Sequence, residues 1–226
     1  MHLYSEYFAY RHADDELDCV PLLAAGLRRD PARSVVHFGD RHITREDAAR
    51  HIAQLQRWFA EQGLVQGDRV AVMLGNSPEH IHLIYALFLS GLVWVPVNTK
   101  LRAAGLDYLL QRAQPKLFVI DDEYEPVTTQ FDCGNARRTH LQSFDASDAN
   151  AEFATPAIGA HDPLCIIYTS GTTGAPKGVV FTHRMCATAT GSFYGSRCVT
   201  LAARERVFAL CPIGGKGHEG AYRVRR

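Results

Sequence analysis

The sequence predicts an α/β fold: layered mixed or parallel sheets with flanking helices. Two observations carry this. Short apolar runs alternate twice with helical stretches of about a dozen residues, the pattern of βαβ units. The composition, 46% hydrophobic and 21% charged over 226 residues, is that of an ordinary globular chain. A chain of this length buries roughly 70% of its extended surface on folding, so a proper core is expected.

The elements follow in order. Pro21 to Arg29 reads as a short helix. Val35–Phe38 and Arg41–Ile43 are short strand candidates joined by a Gly39-Asp40 turn. Thr44 opens a helix, with Asp47 in the position of a capping-box acid. Ala48, Ile52, Leu55 and Phe59 then recur on one helical face, and Gly63 can end the helix in a left-handed conformation. Arg69–Leu74 is a strand. Ser77 caps the next helix, Pro78 takes its first position, and Gly91 stops it. Val93–Val97 is a strand parallel to the previous one. Ala103–Ala113 is helical, Pro115 breaks it, and Lys116–Ile120 is a strand. Thr139–Phe144 is a weak strand candidate, and Asp145–Asp162 reads as a surface connector. Leu164–Tyr168 is a continuous apolar run, expected to be a buried strand. Val179–Phe181 resumes the strand pattern, Arg184–Leu201 looks helical, and Arg206–Pro212 is a further strand candidate.

Several functions are excluded or disfavoured at this level. Lys plus Arg number 24 and Asp plus Glu number 24, so no broad electrostatic grip on nucleic acid or anionic lipid is expected. Among the six cysteines the shortest spacing, Cys186 to Cys198, is 12 residues, which lacks the pairing of a zinc or redox motif. Scattered reduced thiols and an N-terminus without a basic start before an apolar run fit a cytoplasmic protein. The longest uncharged stretch, His80 to Thr99, is broken by Gly91 and Pro96, so no membrane span is expected. His80 and His82 lie two apart and cannot form an i,i+4 metal pair. They read as surface or core histidines, and His183 reads as structural. Asp121 and Asp122 end a strand, where both function and turn chemistry occur.

The chemistry-bearing segment joins the last two strands: Thr169-Ser170-Gly171-Thr172-Thr173-Gly174-Ala175-Pro176-Lys177-Gly178. Its glycines let the backbone approach a ligand. Thr169, Ser170, Thr172 and Thr173 offer hydroxyl donors, loop amides add more, and Lys177 adds one positive charge. The segment contains no acid to oppose an anion. It is not a Walker A loop. Pro176 stands where that motif has its second glycine, Gly178 where it has a hydroxyl, and a strand follows instead of a helix.

YTSGTTGAPKG, Tyr168 to Gly178, closely resembles the signature of the adenylate-forming (AMP-binding) superfamily. Gly63–Asn98 is similar to that family's N-terminal core segment, and Pro96-Val97-Asn98 looks more like its acyl-CoA synthetase branch. The resemblance covers roughly residues 20 to 212. It implies the N-terminal portion of an adenylate-forming domain, truncated. It also implies an AMP-forming acyl-CoA synthetase activity of the kind found in fatty acid metabolism, in which a carboxylic acid attacks the α-phosphate of MgATP and the acyl group passes to coenzyme A. By resemblance Thr169, Ser170, Gly171, Thr172, Thr173, Gly174 and Lys177 bind the nucleotide phosphates. Lys177 is the catalytic candidate, acting by charge, and Thr169 also reaches Mg2+. Two alternatives stand beside this: a non-catalytic remnant with residual phosphate binding, and a peptide-synthetase-type adenylation domain using a carrier-protein thiol. The adenine site, the acidic magnesium ligand and the lid lysine lie further downstream in the family than this chain extends.

Residues 1–212 are thus expected to form the N-terminal portion of an AMP-binding domain. Residues 213–226 are expected to be an atypical, disordered tail produced by truncation or a frameshift. The Gly215-x-Gly217-x-x-Gly220 string in that tail is a decoy, because no helix or second strand follows. An incomplete domain is expected to expose core surface and to self-associate.

Overall fold

A computed structural model describes residues 19–101, 103–130, 136–141, 152–169 and 176–187, the side chain of residue 22 apart. Helix α1 (Cys19–Arg28) leads into a hairpin, β1 (Ser34–Phe38) and β2 (Arg41–Thr44), paired antiparallel. Then come α2 (Arg45–Glu61), β3 (Arg69–Met73), α3 (Pro78–Leu89), β4 (Val93–Pro96), α4 (Ala103–Ala113) and β5 (Leu117–Ile120). A single 3-10 turn (Asp122–Tyr124) and the short α5 (Glu125–Thr128) precede β6 (Arg137–His140). A second hairpin, β7 (Pro163–Thr169) and β8 (Lys177–Thr182), is followed by a helical turn over 183–187.

Six strands form one sheet in the order β6-β5-β3-β4-β7-β8. All neighbouring pairs are parallel except β7 and β8. Successive side chains on a strand point to opposite faces, and this sheet buries both. Val70, Val72, Leu117 and Val119 face a cluster that includes Ile52, Leu55, Trp58 and Phe59 of α2 and Leu83, Ala86 and Leu87 of α3. Ala71, Met73, Phe118 and Ile120 face the opposite cluster, with Leu106, Leu109 and Leu110 of α4. Two covered faces explain why these strands read as unbroken apolar runs instead of alternating ones.

The helix boundaries have local causes. Thr44 Oγ1 accepts the Asp47 amide at 3.1 Å, and Asp47 Oδ2 accepts the Thr44 amide at 3.2 Å, completing the capping box. These bonds to its carboxylate hold Asp47 below the ordinary range, chiefly through Thr44 and against some desolvation. Ser77 Oγ accepts the His80 amide at 3.1 Å, with Pro78 at the first position of α3. Gly91 leaves α3 at φ +65°, and a Cβ there would sit 2.8 Å from Gln66 Cγ.

The structure departs from expectation in three places. The weak strand lies at Arg137–His140, earlier than Thr139–Phe144, because parallel register with β5 pairs Leu117 with Arg137 and Ile120 with His140. The connector is not all surface. Residues 142–151 lie outside the described residues, but Phe153, Ile158 and Ala160 are buried, and the first two pack on the core beside α2 and α3. Finally, β7 is not buried throughout. Leu164 and Cys165 are buried, whereas Ile167 and Thr169 are exposed. Beyond Cys165 only one face of the strand is covered: Ile166 and Tyr168 pack on the second cluster, whereas Ile167 and Thr169 face the other way. The expected helix beyond 187, the strand at 206–212 and the 213–226 tail lie outside the described residues. Among the described residues, no helix is long and apolar enough to cross a membrane.

Candidate functional site

The Gly/Thr/Lys segment is mounted on the β7–β8 hairpin. β4 and β7 run parallel, so the open end of this hairpin lies toward the carboxyl edge of the parallel strands, where α/β sheets place their ligands. Thr169 and Lys177 are cross-strand partners at that end, and both are exposed. The two posts of the loop are therefore brought together and left open to solvent. Ser170, Gly171, Thr172, Thr173 and Gly174 lie outside the described residues.

Behind the posts, the hairpin is braced from the sheet. Gly178 pairs with Tyr168 across the ladder, and the tyrosine ring lies over it. A Cβ at Gly178 would meet Ile166 Cγ2 at 3.0 Å and Tyr168 Cζ at 3.1 Å. The glycine beside Lys177 is thus needed for a close side-chain approach and not for a turn. Tyr108 of α4 donates its hydroxyl to the Pro176 carbonyl at 3.4 Å, tying the residue before Lys177 to that helix. Burial pushes the Tyr168 phenol up, while the nearby charges of Arg112 and Arg69 pull it down. Sequence reasoning did not find Tyr108, because its contact spans 68 residues of sequence and leaves no local signal.

The other polar candidates are structural. Asp121 Oδ2 accepts the Gly75 amide at 2.6 Å and bridges the turns that leave β5 and β3. Burial, with Glu123 and Asp122 as neighbours, raises its carboxyl above the ordinary range, while the Gly75 bond and His140 oppose the rise. Turn chemistry therefore accounts for it. Asp122 pairs with His140 on β6. His80 is buried, with Nδ1 at 3.0 Å from the Gly75 carbonyl. His82 is buried against His51, ring centroids 5.0 Å apart. His183 is fully buried, its Nδ1 at 3.2 Å from Cys19 Sγ, which pins the end of β8 to the start of α1. Burial raises the Cys165 thiol to about 11. Among the described residues, no group of three or more His, Cys, Asp or Glu is arranged to hold a metal ion.

A family model described as AMP-binding enzyme matches residues 23–214, nearly the whole of the fold just described. The chain belongs to this family. Feruloyl-CoA synthase of an Amycolatopsis species is 30% identical over 156 residues, 69% of this chain and 31% of that one. The fatty acid–[acyl-carrier-protein] ligase ScoC of Streptomyces coeruleorubidus is 30% identical over 162 residues, 70% of this chain and 31% of its own. Among solved structures, the N-terminal subdomain of Klebsiella oxytoca NpsA superposes with a TM-score of 0.65 at 29% identity, covering 76% of this chain and 43% of that one. The chain thus spans about a third of the length of the curated relatives it matches. The AMP-binding assignment covers both the α/β sheet and the hairpin that carries Lys177.

Proposed function

We propose that this AMP-binding chain supplies the triphosphate-holding part of an acid–thiol ligase site, in which ATP activates a carboxylic acid as an acyl-adenylate and a thiol then takes the acyl group. The observation that carries the reading is the pairing of Thr169 with Lys177 at the exposed mouth of the hairpin, in a chain whose family match runs from residue 23 to residue 214. Ser170, Gly171, Thr172, Thr173 and Gly174 belong to the same proposal as hydroxyl and amide donors to the β- and γ-phosphates. Lys177 acts by position and charge, neutralising the pyrophosphate as it leaves. It is not a nucleophile.

Magnesium enters as part of the substrate, MgATP. Mg2+ is typically held by one or two protein oxygens together with phosphates and waters. The exposed hydroxyl of Thr169 fits such a role, and a dedicated carboxylate cage is not required. The thiol acceptor has two readings. Coenzyme A is favoured by Pro96-Val97-Asn98 and by likeness to feruloyl-CoA synthase. A carrier-protein thiol is favoured by the comparable likeness to ScoC.

Residues 1–212 are proposed as the N-terminal portion of the domain and 213–226 as an atypical tail. Ile167, Val179 and Val180 are exposed at the sheet edge formed by β8, which supports self-association of the chain in solution.

The test is calorimetric titration of the 226-residue chain with MgATP and with pyrophosphate, alongside Lys177→Ala. One charge-assisted contact is worth about 1.5–3 kcal/mol, so the variant is expected to bind roughly 10–150-fold more weakly. Equal binding by the two proteins, or none by either, overturns the proposal. Carboxylate-dependent ATP–pyrophosphate exchange then separates a ligase from a phosphate-binding remnant that does not turn over.

A further inference from the structure

The limb of the phosphate segment that carries Lys177 is held from one side by the sheet. Among the described strands, β8 closes the sheet at its edge and pairs with β7 alone. The ladder between them ends at the Thr169–Lys177 pair, and Pro176 lies just outside it. Proline carries no N–H, so its carbonyl is the only backbone group by which it can be hydrogen-bonded. That carbonyl accepts the Tyr108 hydroxyl at 3.4 Å, from a helix 68 residues away in sequence. One rigid peptide plane holds both the Pro176 carbonyl and the Lys177 amide. A bond that fixes the carbonyl therefore fixes the direction in which the chain enters Lys177. The helix makes this bond possible by its own division of labour. Leu106, Leu109 and Leu110 commit one stripe of α4 to the second core cluster. Tyr108 lies outside that stripe and is half-buried, so its hydroxyl is left for the hairpin.

We propose that Tyr108 is a positioning residue for the triphosphate site, a role that rests on the proposed grip of Lys177 on the phosphates. Its hydroxyl acts through the Pro176 carbonyl and sets the aim of the Lys177 ammonium. Tyr108 itself touches neither the phosphates nor the reacting carboxylate. Removing only the hydroxyl leaves the aromatic ring, the leucine contacts of α4 and the β7–β8 ladder in place. It frees the limb to turn about the Thr169–Lys177 pair, which is the last one the ladder holds. Directions that carry the ammonium away from the phosphates then become populated. Apparent affinity falls in proportion to the competent fraction.

The experiment is calorimetric titration of the 226-residue chain with MgATP and with pyrophosphate, comparing the parent, Tyr108→Phe, Lys177→Ala and the double variant. Unchanged circular dichroism establishes that each protein folds. Tyr108→Phe is expected to weaken both ligands by about two- to tenfold, the worth of one neutral hydrogen bond. In the Lys177→Ala background the same substitution is expected to change nothing, because the charge it aims is gone. Gln111→Ala is the control on the same helix. It breaks the surface bond from Gln111 Nε2 to Asp107 Oδ2, 2.9 Å, and should bind as the parent does. Limited proteolysis adds a measure that needs no ligand. Trypsin cuts after lysine, and its rate follows the population of locally open chain. Cleavage between Lys177 and Gly178 should quicken by about two- to tenfold in Tyr108→Phe, with other sites unchanged. A parent that binds neither ligand overturns the nucleotide reading and the positioning role with it. A parent that binds, with Tyr108→Phe equal to it, overturns the positioning role alone. So do equal losses with and without Lys177, a Gln111→Ala variant as weak as Tyr108→Phe, or unchanged cleavage at Lys177.

Discussion

Acid should destabilise this fold through His82, and the size of the effect can be worked out. His82 on α3 is 2% exposed and packs against His51 of α2, and neither of its ring nitrogens has a hydrogen-bond partner. Burial first, then the nearby His51 and Arg41, lowers its pKa from 6.5 to about 4, and Glu79 and Asp47 oppose the shift only in part. The unfolded chain takes up the proton near pH 6.5 and the folded chain only near pH 4. Between those values the unfolded state binds more protons, so stability falls as pH falls. At 1.36 kcal/mol per unit the full loss is about 3 kcal/mol, and about 2.5 kcal/mol of it has developed by pH 4.5. Above pH 7 the effect vanishes. Leucine in place of His82 removes the titration and two unsatisfied buried nitrogens together. The variant His82→Leu should be at least as stable as the parent at pH 7.5. It should also lose about 2.5 kcal/mol less on going to pH 4.5. Urea unfolding followed by the fluorescence of the buried Trp58 measures both values. Parallel loss in the two proteins between pH 7.5 and 4.5 would refute the idea that a neutral imidazole at the α2–α3 interface is the acid-sensitive element.

Three further substitutions test the framework. Thr44→Ala removes the cap of α2 and should cost about 1 kcal/mol in urea unfolding at neutral pH, with no change in nucleotide binding. Gly91→Ala forces a Cβ at φ +65° against Gln66 Cγ at 2.8 Å and Ile158 Cδ1 at 3.2 Å. It should destabilise by about 1–2 kcal/mol from backbone conformation alone, and a wild-type thermal midpoint would show the turn to be unstrained. Gly178→Val drives a branched side chain into Ile166 and Tyr168. It should cost about 1–3 kcal/mol and weaken MgATP binding through displacement of Lys177, with calorimetry as the readout.

Much of the fold was legible because its signals are local. Thr44 with Asp47, and Ser77 with Pro78, mark helix starts through bonds that span only three residues. The strands β3, β4 and β5 are short apolar runs separated by helix-length segments, which confines them to parallel neighbours in one sheet. The family was legible for a different reason: the Tyr168–Gly178 string resembles the AMP-binding signature, and the AMP-binding family model spans it. The position of β6 was less legible. Arg137–His140 has no apolar face, and its strand identity comes from the hydrogen bonds of β5 beside it.

Sequence alone thus determined the order and type of the main elements, because caps, turns and hydrophobic period act over a few residues. It also marked the family, through the string from Tyr168 to Gly178. Tertiary structure decided which groups meet across long separations: Tyr108 with Pro176, Cys19 with His183, His51 with His82, and Thr169 opposite Lys177 at an exposed mouth. Such pairings depend on how layers stack and which strands become neighbours. That outcome reflects burial summed over the whole core, and no short stretch of chain encodes it.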